Sequence, residues 1–243
     1  LYTGVQCLED SVFDQHIHIV DTQQSGRNTL YKVEGDRVRG WHPRLCLHTG
    51  DKRPFETIVT SVNNNTAELT LVTDYTNTRN ALWGVMARNR EQNFAMNLLT
   101  DPLVDLVTLL GTAGTGKTLL ALAAGLAQTL DQKLYREIVV TRVTVPVAED
   151  IGFLPGTEEE KMAPWMGALM DNLEVLTESD DSHNDWNRAA ANDLLSSRIK
   201  IRSPNFMRGR TFLNRYLIID EAQNLTSKQL KTLLTRAGPG TKV

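Results

Sequence analysis

An α/β fold built on a parallel sheet, preceded by a small β-rich domain, is predicted by three observations. Apolar strand-like runs alternate with helix-like segments from about residue 89 onward, as expected of a parallel sheet with crossover helices. A glycine-rich turn at 111–116 joins one apolar run to an apolar helix, the layout of a P-loop NTPase. Before residue 80 the pattern is different: short β-branched runs separated by turn clusters.

Taken in order, His16–Val20, Thr29–Val33, Thr57–Val62 and Glu68–Val72 read as strands. Turn residues at 23–28, 34–36, 48–53 and 63–66 punctuate them, predicting a small antiparallel sheet or barrel. Asp74 to Arg79 is polar and reads as a linker, which divides the chain into a β-rich connector over 1–80 and an NTPase domain over 81–243. Asn89 to Leu99 has helical spacing with Phe94, Leu98 and Leu99 on one face, and Asp101-Pro102 ends it. Val104 to Leu110 reads as a strand buried on both faces. Lys117 to Leu130 reads as an apolar helix, Ile138–Thr141 as a buried strand, and Thr157 to Glu160 as a capping box opening another helix. Ile199–Ile201 and Leu217–Asp220 are further strands. Thr226 and Gln229 form a second capping box, and Gly238 closes that last helix.

The bulk properties exclude several classes. The chain has 243 residues, with 41% apolar and 23% charged residues, the make-up of a globular protein with a core. The longest apolar run, Leu119 to Ala127, is too short to span a bilayer, so no membrane partner is expected. Leu1 rather than Met opens the sequence and no signal segment follows, which predicts that residues precede it. The two cysteines, Cys7 and Cys46, imply no disulfide framework and suit a reducing cytoplasm. Histidines 16, 18, 42, 48 and 183 show no metal spacing with them and read as structural. The net charge is −3, yet charge is segregated. Acids dominate from Glu149 to Asp193. Leu194 to Ile219 has none and carries Arg198, Lys200, Arg202, Arg208, Arg210 and Arg215, a distribution that can bind phosphates whatever the total.

Gly111-Thr112-Ala113-Gly114-Thr115-Gly116-Lys117-Thr118 matches the phosphate-binding pattern of P-loop NTPases. Glycines allow backbone turns with positive φ and close approach to phosphate oxygens. Inward N–H groups and the following helix N-terminus complete an anion nest. Lys117 is expected to reach the β- and γ-phosphates of ATP, and Thr118 to hold Mg²⁺. Roughly one chain in a hundred of this length carries the pattern by chance, so the strand before it and the helix after it are what give it weight. Asp220-Glu221, at the end of an apolar strand, falls where parallel sheets bind ligands. Asp220 is assigned to the Mg²⁺ shell, Glu221 to the attacking water and Gln223 to the γ-phosphate. The structural alternative is a pair of helix-capping carboxylates. Upstream, Asn89 and Gln92 carry amides able to read adenine's edge, or else simply begin an exposed helix.

Arg208 and Arg210 flank a glycine beside Phe206 and Phe212. They suit a nucleic-acid contact with aromatic stacking, an arginine reaching a neighbour's γ-phosphate, or a solvated face with Phe212 in the core. Arg142 follows a buried strand and suits a nucleic-acid phosphate or a salt bridge to Glu149 or Asp150.

Together, the P-loop, Thr141-Arg142 followed by Glu149-Asp150-Ile151-Gly152-Phe153-Leu154-Pro155-Gly156, Phe206-Met207-Arg208-Gly209-Arg210-Thr211, and Asp220-Glu221-Ala222-Gln223-Asn224 resemble the PhoH-like ATPases over about residues 86–243. The resemblance implies a RecA-like parallel sheet similar to superfamily 1 helicases, in which a Gln placed like Gln92 contacts adenine. It implies a homo-oligomeric ring, often hexameric, with ATP between subunits. Members fused behind a PIN nuclease domain are linked to ATP-dependent RNA unwinding and cleavage, and residues 1–80 resemble the connector of such fusions. No PIN-type acidic set is visible here. The family's sensor strand is expected to begin at Lys242-Val243. The implied function is Mg²⁺-dependent ATP hydrolysis acting on RNA or single-stranded nucleic acid. The rivals are a regulatory ATPase acting on a protein partner and a small-molecule kinase, for which no second substrate pocket is evident in the sequence.

Overall fold

The structure, a computed structural model, describes residues 4–9, 17–25, 28–50, 55–142, 197–202 and 211–243. The expected Thr157 capping box and the Gly152–Gly156 turn lie outside the described residues. The chain divides into two compact units, Leu1–Thr76 with Arg88–Leu98, and Asn77–Ala87 with Leu99–Val243.

The first unit is a six-stranded sheet in the order β1-β4-β5-β6-β3-β2. Its strands are β1 (Val5–Leu8), β2 (His18–Ser25), β3 (Asn28–Glu34), β4 (Cys46–Thr49), β5 (Glu56–Asn63) and β6 (Thr66–Leu71). All neighbours are antiparallel except β1 and β4. Strand residues alternate between faces, and the sheet uses both. Leu47 and Val59 point into one core with Val33, Trp41 and Leu69, whereas Cys46 and Ile58 meet Phe94 from the helix α1 (Arg90–Thr100). β4 is buried on both faces, which is why no alternation marks it in the sequence. Arg90 Nε ties α1 to Glu56 Oε1 at 2.8 Å.

Cys46 is buried under Phe94 and its thiol is pushed up to about 12 by loss of solvent. Cys7 is exposed. A thiol reagent at pH 8 should therefore modify Cys7 quickly, because attack needs thiolate and access. Cys46 should react only in denaturant, so counting labelled sites by mass before and after unfolding should read one and then two.

The second unit is a mixed α/β assembly with a parallel sheet. β7 (Ile138–Arg142) lies between β8 (Ile199–Ile201) and β9 (Tyr216–Asp220), all parallel. β7 and β9 are buried almost throughout, as their continuous apolar runs require. The sheet continues beyond β9. Lys242 bridges Tyr216 in parallel fashion, and Val243 exchanges two hydrogen bonds with the segment before the P-loop: Val107 N to Val243 O at 2.8 Å and Val243 N to Asp105 O at 2.7 Å.

The expected strand over Val104 to Leu110 is thus corrected. The segment forms no strand, and Leu106 and Leu110 are exposed.

Helix α2 (Lys117–Leu126) is buried from Leu120 onward and passes into one π-helical turn over Ala127–Asp131. Gly125 lets it lie close on the sheet: a Cβ there would stand 3.0 Å from Tyr216 Cδ1. Helix α3 (Ser227–Leu234) opens with the expected capping box, Gln229 N to Thr226 Oγ1 at 3.2 Å and Thr226 N to Gln229 Oε1 at 2.8 Å.

Gly238 does not close α3, which ends at Leu234 with Thr235 as its cap. Its N–H donates to Phe212 O at 2.8 Å, and a Cβ would fall 2.7 Å from both Leu213 Cδ2 and Thr211 Cγ2. Close approach of two loops, rather than a left-handed cap, is what selects glycine here. Gly238→Ala is expected to lower stability by about 1–3 kcal/mol through overpacking, measured by urea denaturation.

Candidate nucleotide site

The P-loop turns through left-handed backbone at Gly114 (φ 76°) and Gly116 (φ 77°), conformations that a side chain disfavours. Gly116 caps α2, and Leu120 N donates to its carbonyl at 2.9 Å. Gly111 to Thr115 are exposed. Thr115 Oγ1 donates to Thr112 O at 2.9 Å. Lys117 curls back over the loop, with Nζ donating to Gly111 O at 3.0 Å and Thr112 O at 2.8 Å. An ammonium held on backbone oxygens at the mouth of an anion nest is positioned to exchange them for phosphate oxygens.

β9 delivers the acidic pair to the same place. Thr118 Oγ1 donates to Asp220 Oδ1 at 3.2 Å, joining two sequence motifs that are 102 residues apart. A hydroxyl and a carboxylate converging at a helix N-terminus form a hard-oxygen donor set, which fits Mg²⁺. Glu221 adopts left-handed backbone at φ 51°, an uncommon state for a non-glycine residue and one found often at functional sites. Its carboxylate accepts from the Gln223 amide. Glu221 is followed by a 3₁₀ turn, Ala222–Asn224, which the side chain of Glu221 does not cap.

Arg142 ends β7 in direct register with Asp220. Its guanidinium lies 3.6 Å from Asp220 Oδ2 and 3.7 Å from Glu221 Oε1. The salt-bridge partners weighed from sequence, Glu149 and Asp150, lie outside the described residues, as do Phe206, Arg208 and Arg210. Other members of the basic stretch hold the fold. Arg215 Nε pairs with Glu137 Oε1 at 2.7 Å, and Arg198 Nη1 donates to Arg136 O at 2.9 Å. Phe212, considered as a stacking surface, instead packs against the core of Val139, Leu217 and Leu233.

Asn89 and Gln92 belong to the first unit, where they cap α1. Asn89 Oδ1 accepts from Gln92 N at 2.8 Å, and Gln92 Oε1 accepts from Arg88 N at 2.6 Å.

Sequence reasoning singled out Arg142 but gave it other partners, and it overlooked Lys242. Arg142 was not matched to the acidic pair, although Arg142 and Asp220 are each the first charged residue after a buried apolar run. Lys242 is only 1% exposed and donates to Asp101 O at 2.7 Å and Val104 O at 2.6 Å, fastening the segment that leads into the P-loop. Nothing local announces a buried lysine. Among the described residues no cluster of three or more His, Cys, Asp and Glu could hold a metal, and no helix is long and apolar enough to cross a membrane.

The chain is 47% identical over 164 residues to protein PhoH2 of Bacillus subtilis, and 39% identical over 164 residues to protein PhoH2 of Mycolicibacterium smegmatis. Each match takes in 67% of this chain and 36% of the relative. A PhoH-like protein of Bacillus subtilis is 39% identical over 139 residues, covering 57% of this chain and 41% of that protein. The chain thus spans little more than a third of the length of the PhoH2 relatives. The family model for PhoH-like proteins matches residues 84–243, the span that carries the P-loop, Arg142 and the acidic pair, and the chain belongs to this ATP-binding family.

Proposed function

We propose that this chain binds ATP with Mg²⁺ and hydrolyses it, driving the remodelling or unwinding of RNA or single-stranded nucleic acid. The observation that carries the reading is the meeting of Thr118 with Asp220 beside Lys117, because hydrolysis needs the phosphate cradle and the acidic pair in one place. Lys117 and the loop N–H groups bind the β- and γ-phosphates, with Gly111, Thr112, Ala113, Gly114, Thr115 and Gly116 shaping the cradle. Thr118 and Asp220 hold the metal, which supplies neutralising charge to the phosphates. Glu221 orients water. Gln223, bonded to Glu221, reports on the γ-phosphate.

In this reading the sheet is RecA-like, and Asn89 and Gln92 contact adenine once their capping bonds are exchanged. Arg142, Arg208 and Arg210 meet nucleic-acid phosphate or a neighbouring subunit in a homo-oligomeric ring, and the protein works in the cytoplasm. The acid-free stretch from 194 to 219 supports a polyanionic substrate.

The net charge of −3 supports a second reading, an ATPase switch acting on a protein partner without nucleic acid. Phosphate release from ATP, measured with and without single-stranded RNA at graded salt, separates them. Stimulation that weakens with salt and with Arg208→Ala or Arg210→Ala supports the first. Hydrolysis indifferent to RNA transfers the reading to the second.

A further inference from the structure

Every carboxylate oxygen of the Asp220–Glu221 pair has a partner within the chain. Asp220 Oδ1 accepts from Thr118, and Glu221 Oε2 accepts from Gln223. The remaining oxygens, Asp220 Oδ2 and Glu221 Oε1, both face Arg142, at 3.6 Å and 3.7 Å. One guanidinium therefore spans two adjacent acids. Its spacing is that of a through-space counter-charge rather than of a tight bidentate bond.

The backbone sets this arrangement. Parallel pairing of Arg142 with Asp220 places the two side chains on neighbouring strands at the edge where the P-loop turns into α2. Asp220's side chain is 16% exposed and Arg142's 32%, so solvent screens the pair less than it would at an open surface. Two carboxylates side by side repel, and a nearby cation offsets that repulsion.

We propose that Arg142 is the resident counter-ion of the Asp220–Glu221 pair: it competes with the divalent metal for Asp220 and keeps Glu221 engaged until the metal site fills. This makes Arg142 a positioning residue that sets the metal concentration at which the site loads. The proposal rests on the ATP–Mg²⁺ reading above. It differs from a phosphate-contact role because it predicts an effect with no nucleic acid present. A neutral residue at 142 leaves Asp220 more negative and without a competitor, so metal should bind at lower concentration. A residue that merely braced the strand would do the opposite when removed, loosening the site and raising the metal requirement.

The test is the fluorescence of a ribose-labelled ADP bound to the full chain, titrated with buffered Mg²⁺ in the absence of RNA. Arg142→Gln and Arg142→Ala are both read, with far-UV circular dichroism, so that loss of fold in one leaves the other to decide. The Mg²⁺ midpoint should fall about 3- to 10-fold in the neutral variants, the range expected for losing one partly screened charge. Arg142→Lys, which keeps the charge but not the planar fork, should lie within about twofold of wild type. An unchanged or raised midpoint in the neutral variants, with wild-type binding intact, overturns the counter-ion role and leaves the nucleotide reading standing. Absence of any Mg²⁺-dependent nucleotide binding in the wild-type chain overturns both.

Discussion

Lys117→Ala is expected to lower ATP hydrolysis by about 100- to 1,000-fold while barely changing stability. Two bonds make the case. Lys117 Nζ donates to Gly111 O and Thr112 O, carbonyls of exposed residues that water can satisfy once the lysine is gone. The stability change should therefore stay within about 0.5 kcal/mol, as for other surface substitutions. The charge is another matter. Phosphoryl transfer is catalysed chiefly by positioning and electrostatic stabilisation, and removal of one aligned donor to developing charge costs about 3–4 kcal/mol of barrier. Phosphate release at saturating ATP, beside a urea melt of the same preparation, checks both halves. Glu221→Gln is the control that separates binding from chemistry: it should abolish turnover and keep labelled nucleotide bound. A Lys117→Ala variant that hydrolyses ATP at the wild-type rate would remove the phosphate cradle from the mechanism.

The largest expected effect on stability falls on Lys242. Its ammonium is buried and donates to the Asp101 and Val104 carbonyls, which lie at the start of the segment running to Gly111. Lys242→Ala deletes the aliphatic stem and strands the buried Val104 acceptor, so a loss of about 3–4 kcal/mol is expected. Lys242→Met keeps most of the volume and removes only the donors, and should lose about 1–3 kcal/mol. Replacing a buried charge by an apolar group can also be neutral, because the charge itself was costly to desolvate. Here the Val104 carbonyl decides the sign: it is buried and loses the lysine donor in the swap, whereas Asp101 O still accepts from Val104 N at 3.1 Å. Urea denaturation of both variants measures the difference. Nucleotide affinity should fall with stability, since the segment leading into the P-loop is what Lys242 secures.

Much of the local architecture was legible in the chain. The glycine spacing before Lys117, the apolar runs now seen as β7 and β9, and the Thr226–Gln229 capping box each depend on residues close in sequence, whose conformational preferences act over one turn or one strand. β8 follows the same rule. Elements buried on two faces, such as β4, carry no alternation, and a short apolar run cannot by itself be told from loop or helix. Gly238 misled for a related reason. A glycine after a helix suggests a cap, and only the packing of Thr211 and Leu213 against it reveals a steric demand.

Three features could come only from the tertiary structure, because each depends on register between strands far apart in sequence. The pairing of β7 with β9 decides that Arg142 faces Asp220 rather than solvent. The hydrogen bonds of Val243 to Asp105 and Val107 decide which segment lies beside residues 104–110. The burial of Lys242 decides that a basic residue can be an anchor. Composition and periodicity describe what a segment can bury; which partner it meets is settled by how the folded chain pairs its strands, and that choice is non-local.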